Sequence, residues 1–233
     1  MIEVREFDTL GHANHGWLDA RHHFSFANYH DPARRGVGPL LVWNDDTFQP
    51  DSGFPMHPHR DMEIITYVRS GQVDHEDHLG NRGTTHAGDV QVMSAGTGIM
   101  HAEFNRGDQP TQIFQIWIQP KERGMPPRWD NKEFPKGANA NRLVPLASGY
   151  DEDIEAGALY IHQDAALHGA TLEAGQTLDH TLLGSQAYLV LARGKVRVNG
   201  AEISTRDGAV IEGEPSLHIE ALEDSELILA DLP

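Results

Sequence analysis

The sequence predicts an all-β protein made of two successive antiparallel barrels or jelly rolls. Three observations carry this expectation. Short β-rich segments alternate with turn signals from residue 53 to 118, and again from about 156 to 231. The second stretch echoes the first. Gly175 and His180 parallel Gly53 and His57, Gly194 parallels Gly71, and Gly208 and His218 parallel Gly88 and His101. Between the two stretches, Pro120, Pro126, Pro127 and Pro135 come with Lys121, Arg123, Arg128, Lys132 and Lys136, the composition of a connecting arm. The expected division is residues 1–120 for the first barrel, 121–150 for the arm and 151–233 for the second barrel.

Residues 2–7 alternate in polarity and read as a strand. Residues 8–39, rich in Gly, His, Asn, Asp and Pro, read as a long ordered loop. Trp17, Phe24, Phe26 and Tyr29 argue against disorder there. Residues 40–43 form a short strand, and Asn44-Asp45-Asp46 a turn. Strands follow at 62–68, 72–77, 90–93 and 113–118, separated by Ser70-Gly71, Gly80-Asn81 and Ala87-Gly88-Asp89. Gly96-Thr97-Gly98 lacks the lysine and the following helix of a phosphate loop, and reads as a tight turn. In the second stretch, Asn199-Gly200 marks a hairpin.

Composition narrows the function classes. The chain has 18 basic and 35 acidic side chains, a formal charge of −17. Residues 1–120 hold 8 and 16 of these, and the remainder 10 and 19. A field that is negative throughout repels phosphate backbones, so no direct nucleic-acid binding is expected, while a protein partner is compatible with it. No apolar run approaches the roughly 20 residues of a membrane span. Met1 to Leu10 carries charges and lacks an apolar signal segment. There is no cysteine, hence no disulfide and no thiolate metal site. The expected setting is the cytoplasm.

Histidine is abundant at 15, and 11 of these fall within the first 101 residues. Two clusters have ligand spacing: His57-Pro58-His59 and His101-Ala102-Glu103. In a strand, residues i and i+2 share a face. Two adjacent strands would therefore bring three imidazoles and one carboxylate together inside a barrel. This nitrogen and oxygen set suits Fe, Mn, Co, Ni, Cu or Zn, and one divalent ion is expected, Fe(II) first among them. Structural zinc sites lean on cysteine, so a site lined by polar ligands points to chemistry. Glu63 is a candidate to orient a ligand histidine, or a plain barrel carboxylate. Arg21, His22 and His23 could reach the pocket or serve packing. In the second stretch Leu182 stands where a second histidine would be needed, and Glu220 lacks partners. His180 and His218 read as ordinary polar barrel residues.

The stretch from Gly53 to His59, with Glu63 and Gly71 beyond it, resembles the first cupin motif. Gly88 to Asn105 resembles the second. The first glycine stands closer to His57 than usual, Ser94 replaces a common proline, and two extra residues precede His101. Longer words, among them Gly11-His12-Ala13-Asn14-His15-Gly16-Trp17 and Met93-Ser94-Ala95-Gly96-Thr97-Gly98-Ile99-Met100-His101-Ala102-Glu103, resemble the pirin family. They are most similar to its bacterial members with quercetin 2,3-dioxygenase activity. The resemblance implies tandem cupin barrels, the second degenerate, with one metal held by residues matching His57, His59, His101 and Glu103. It implies an oxidoreductase that cleaves a flavonol, or a similar enol-bearing aromatic, with O₂. Glu103 would be the catalytic carboxylate, and Trp17, Phe24 and Phe26 would offer an apolar wall. The alternatives are a non-enzymatic metal-binding regulatory protein acting through protein partners, as animal pirins are described, and a cupin isomerase.

Overall fold

A computed structural model describes residues 1–134 and 142–233. Pro135 and Lys136 of the expected arm lie outside the described residues. The β-rich segments assemble into four sheets, two of seven strands and two of four. In the first half, the large sheet runs in the order Arg128–Lys132, Val90–Ser94, Glu63–Ser70, Thr111–Ile118, Leu40–Phe48, Leu18–His22, Gly11–Asn14. The small sheet runs Ser52–His59, Ile99–Asn105, Gln72–Asp77, Arg82–His86. The second half repeats the plan. Its large sheet is Ile2–Arg5, Gly208–Glu212, Gln186–Arg193, Ser225–Leu232, Ala166–Leu172, Val144–Ser148, Leu159–Tyr160, and its small sheet Thr177–Thr181, Ser216–Ala221, Lys195–Val198, Ala201–Ser204. Each half is thus a cupin barrel, a large sheet folded over a small one.

Strand pairing ties the halves together. Ile2–Arg5, first in the chain, pairs with Gly208–Glu212 and completes the second barrel. The segment expected as a connecting arm contributes a strand to each side: Arg128–Lys132 pairs with Val90–Ser94, and Val144–Ser148 with Ala166–Leu172. The two large sheets also pack face to face. Trp43, Phe114 and Ile116 from one share a buried cluster with Leu167, Tyr188, Val190 and Ile228 from the other. Burial of these large apolar side chains is the main force holding the barrels together.

Two local expectations are corrected. Residues 8–39 are not all loop, because Gly11–Asn14 and Leu18–His22 form a hairpin at the edge of the first large sheet. Alternation is present at Leu18–His22, but its inward side chains (Leu18, Ala20, His22) mix apolar with polar and so mask a strand. Asn44-Asp45-Asp46 is no turn. It sits within the strand Leu40–Phe48, where Asp45 is paired with Arg69 and Arg206. Those partners lie far off in sequence, and their charges override the turn preference of three consecutive Asx residues.

Candidate metal centre

The site begins with one strand pair. Ser52–His59 runs antiparallel to Ile99–Asn105, with His57 directly opposite His101 and His59 opposite Ile99. The register shifts between His101 and Glu103, so Glu103 faces Phe54. A bulge of this kind re-aims side chains beside a site. Gly53 permits the close approach: a Cβ there would lie 2.2 Å from the carbonyl oxygen of Glu103. The turn before Ile99 depends on Gly96, at φ +47°, where a Cβ would meet the Met125 carbonyl oxygen at 2.0 Å.

This pairing brings His57, His59 and His101 together. Their rings lie 4.8 Å (57 to 59), 4.5 Å (57 to 101) and 5.1 Å (59 to 101) apart between centroids. One ring nitrogen from each falls within 4.8 Å of the others, a span that one ion closes with small rotations. Glu103 groups within the same distance with His101 and His75. All four expected residues line one cavity of about 230 Å³. Among the described residues, no comparable donor group occurs in the second barrel.

The donors suit a cation. Burial, then repulsion from His101 and His57, pushes His59 down to about 4 against the pull of Glu103. Burial, then His57 and His75, pushes His101 down to about 3. Both rings are therefore neutral near pH 7, the form that ligates metal. The Nδ1–H of His57 donates to the Pro55 carbonyl at 2.7 Å, which leaves Nε2 bare. His101 is 1% exposed, and its Nε2 has no hydrogen-bond partner among the described residues. A buried bare nitrogen is costly unless something occupies it. Glu103, also buried, accepts from Gln91 at 2.5 Å, Gln115 at 2.9 Å and Thr66 at 3.3 Å, which offsets the burial of its charge. Imidazoles and a carboxylate with one orphaned ring nitrogen fit a first-row divalent metal.

The rest of the cavity comes from the large sheet, from Phe54 on the small-sheet strand Ser52–His59 and from the loop that carries Phe26. Leu18, Ala20, Phe26, Phe54 and Trp117 make its apolar walls. The Trp117 ring stands edge-on to His59 at 5.0 Å. Of the aromatic residues expected to form a wall, Phe26 does so. Trp17 packs on the Phe54 ring, and Phe24 lies in the core between the barrels against Tyr188. His22 lines the cavity and contacts Asn44 at 2.8 Å. His23 is buried on the Tyr188 hydroxyl, and Arg21 covers the Phe7 ring. Glu63 faces away from the cavity and accepts from Ser94 at 2.7 Å, so it orients no ligand. His180 lies 3.6 Å from Asp231, and His218 pairs with Asp179 on the surface.

Sequence reasoning missed several residues in and around the cavity. Gln115 lines it and Gln91 bonds Glu103; both are amides inside largely buried strands, a legible signal once those strands are known to be buried. Asp46 was hidden by the turn reading. It lines the cavity with no partner on Oδ1 among the described residues. Burial, then Asp45, Glu103 and Asp19, raises its acid well above the carboxylate range.

Fold and site together define a two-barrel cupin whose first barrel carries the metal-type donor set. Residues 3–118 match the family model described as Pirin, and residues 146–232 the one described as Quercetinase C-terminal cupin domain. The chain belongs to the pirin family. It is 56% identical over 232 residues to a pirin-like protein of Caulobacter vibrioides, covering 99% of each chain. It is 42% identical over 235 residues to a quercetin 2,3-dioxygenase of Escherichia coli K12, covering 100% of this chain and 99% of that one. The bacterial pirin YhhW of Escherichia coli, in complex with nickel(II), matches with a TM-score of 0.93 and 41% identity, covering 100% and 99%. Among the described residues, no helix is long and apolar enough to cross a membrane.

Proposed function

We propose that this protein is a metal-dependent dioxygenase that cleaves a flavonol such as quercetin, or a similar enol-bearing aromatic, with O₂. One observation carries the reading. His57, His59 and His101 bring ring nitrogens within 4.8 Å of one another, and Glu103, equally close to His101, lines the same cavity, whose remaining walls are largely aromatic and aliphatic. His57, His59, His101 and Glu103 would hold one divalent ion, with Fe(II) the ion we infer and nickel(II) the one seen in a relative. Held there, such an ion would supply Lewis acidity toward a substrate oxygen.

The chain's own residues do the remainder. Phe26, Phe54 and Trp117 bind and orient a flat ring system while excluding water. Glu103 takes the proton of the substrate hydroxyl at a carboxylate oxygen, which Gln91, Gln115 and Thr66 hold in place.

Glu103→Gln tests the role of the carboxylate, because it keeps the shape and removes the charge. Metal should still bind, more weakly, while O₂ uptake with quercetin should fall by roughly 10²-fold or more. Full activity in that variant would remove the proposed base. Metal binding without turnover of any of a panel of flavonols and other enols would favour the regulatory reading instead.

A further inference from the structure

Behind the imidazole trio lies a second row of polar side chains. His75 and Asp77 sit on Gln72–Asp77, beside Ile99–Asn105, with Asp77 directly opposite His101 and His75 opposite Glu103. Both are buried, and neither lines the cavity. The His75 ring is stacked on Trp129, with centroids 4.6 Å apart and planes within 5°, which fixes its plane. Its Nε2 lies 3.3 Å from Asp77 Oδ2, and its Nδ1 lies 3.5 Å from His101 Nδ1.

Asp77 is itself held rigidly. Its Oδ1 accepts the backbone N–H groups of Leu79 at 2.9 Å and Asn81 at 3.1 Å. Its Oδ2 accepts the Asn81 side-chain amide at 2.8 Å. A carboxylate only accepts, so His75 must carry its hydrogen on Nε2. A neutral imidazole has one such hydrogen, which leaves Nδ1 of His75 as an acceptor. The hydrogen on that contact must then come from Nδ1 of His101. Nε2 of His101 is left bare: it is the orphaned nitrogen of a ring whose centroid lies 4.5 Å from that of His57 and 5.1 Å from that of His59.

We propose that Asp77 and His75 are positioning residues that fix, through this two-step hydrogen-bond relay, the tautomer in which His101 offers Nε2 to a divalent metal ion. The proposal rests on the reading that the trio holds a metal. It makes an unusual demand of the isosteric variant Asp77→Asn. The two backbone N–H groups at Oδ1 cannot reverse, so the amide oxygen must stay with them. The NH₂ group must then face His75 and donate to its Nε2, while the Asn81 amide, which donates to this position in the wild type, turns its oxygen toward it. That donation inverts the relay: His75 carries its hydrogen on Nδ1, and His101 is driven to the Nε2–H form, which cannot ligate. His75→Phe keeps a ring on Trp129 and removes the relay without inverting it.

Two readouts test this. Long-range ¹H–¹⁵N correlation spectra of the metal-free protein report the tautomer of each ring. Competition with a chromophoric chelator reports Ni(II) affinity. The wild type should show His101 as Nδ1–H. Asp77→Asn should show Nε2–H and lose roughly 10- to 100-fold in affinity. His75→Phe should fall between the two. Wild-type spectra and affinity in Asp77→Asn would overturn the relay, as would Nε2–H on His101 in the wild type. Absence of Ni(II) binding to the wild type, with His101 still in the Nδ1–H form, would sink the metal reading itself, and the positioning role with it.

Discussion

The two barrels share one strand order and differ in what fills them. In the first, the inward positions of the small sheet are His57 and His59, His101 and Glu103, and His75 and Asp77. In the second, the corresponding strands turn Leu178, Leu217 and Ile219, and Val196 and Val198 into a buried apolar cluster, joined by Leu189, Leu227 and Leu229 from the large sheet. The second barrel has the core of an ordinary small domain. The first has exchanged much of its core for a cavity and depends on outside support. That support comes from the apolar cluster between the large sheets and from the pair that Asp45 makes with Arg206 of the second barrel. A duplicated fold has diverged: one copy holds the cavity with its imidazole and carboxylate donors, and the other an apolar core and one wall of the core shared between them.

The contrast yields an ordered set of expectations. The largest effect should follow a core substitution in the second barrel. Leu229 is fully buried among apolar neighbours, so Leu229→Ala should cost about 2–5 kcal/mol in chemical denaturation. It should leave metal affinity in the first barrel nearly unchanged. His59→Ala should do the reverse, with metal affinity falling sharply while circular dichroism and the melting curve of the metal-free protein stay near wild type. The barrels hold apolar strands of their own and do not need an ion to fold, unlike small metal-built domains. A collapsed spectrum for metal-free His59→Ala would break the comparison.

A smaller effect concerns pH. Folding lowers His59 to about 4 and His101 to about 3, against an ordinary value near 6.5. Between those limits the unfolded chain binds more protons than the folded one, so stability is lost as pH falls through that window. The melting temperature of the metal-free protein should drop between pH 7 and pH 5. His101→Phe, with one such group fewer, should drop less. Equal drops in the two proteins would mean that His101 is not buried as a neutral ring.

How much was legible in the sequence follows the same physical divide. The barrel rhythm and the convergence of His57, His59, His101 and Glu103 could be read because both depend on a period of two within single strands. The duplication could be read from glycine and histidine spacing. What escaped depends on partners far apart in the chain. Asn44-Asp45-Asp46 has the local chemistry of a turn, and it is a strand because Leu18–His22 and Thr111–Ile118 pair with it on either side while Arg69 and Arg206 neutralise Asp45. The first strand, Ile2–Arg5, gave no sign that its partner lies near residue 210. His75 and Asp77 stand at i and i+2, the spacing that revealed the trio, but nothing marks the strand that carries them as the neighbour of His101. Glu63 looked well placed for orienting a histidine, and its side chain points out of the cavity toward Ser94.

Metal stoichiometry tests the division of labour most directly. Elemental analysis after exhaustive dialysis should give one transition-metal equivalent per chain, and none in the His57→Ala/His59→Ala double variant. Two equivalents per chain, or one retained by the double variant, would contradict the account.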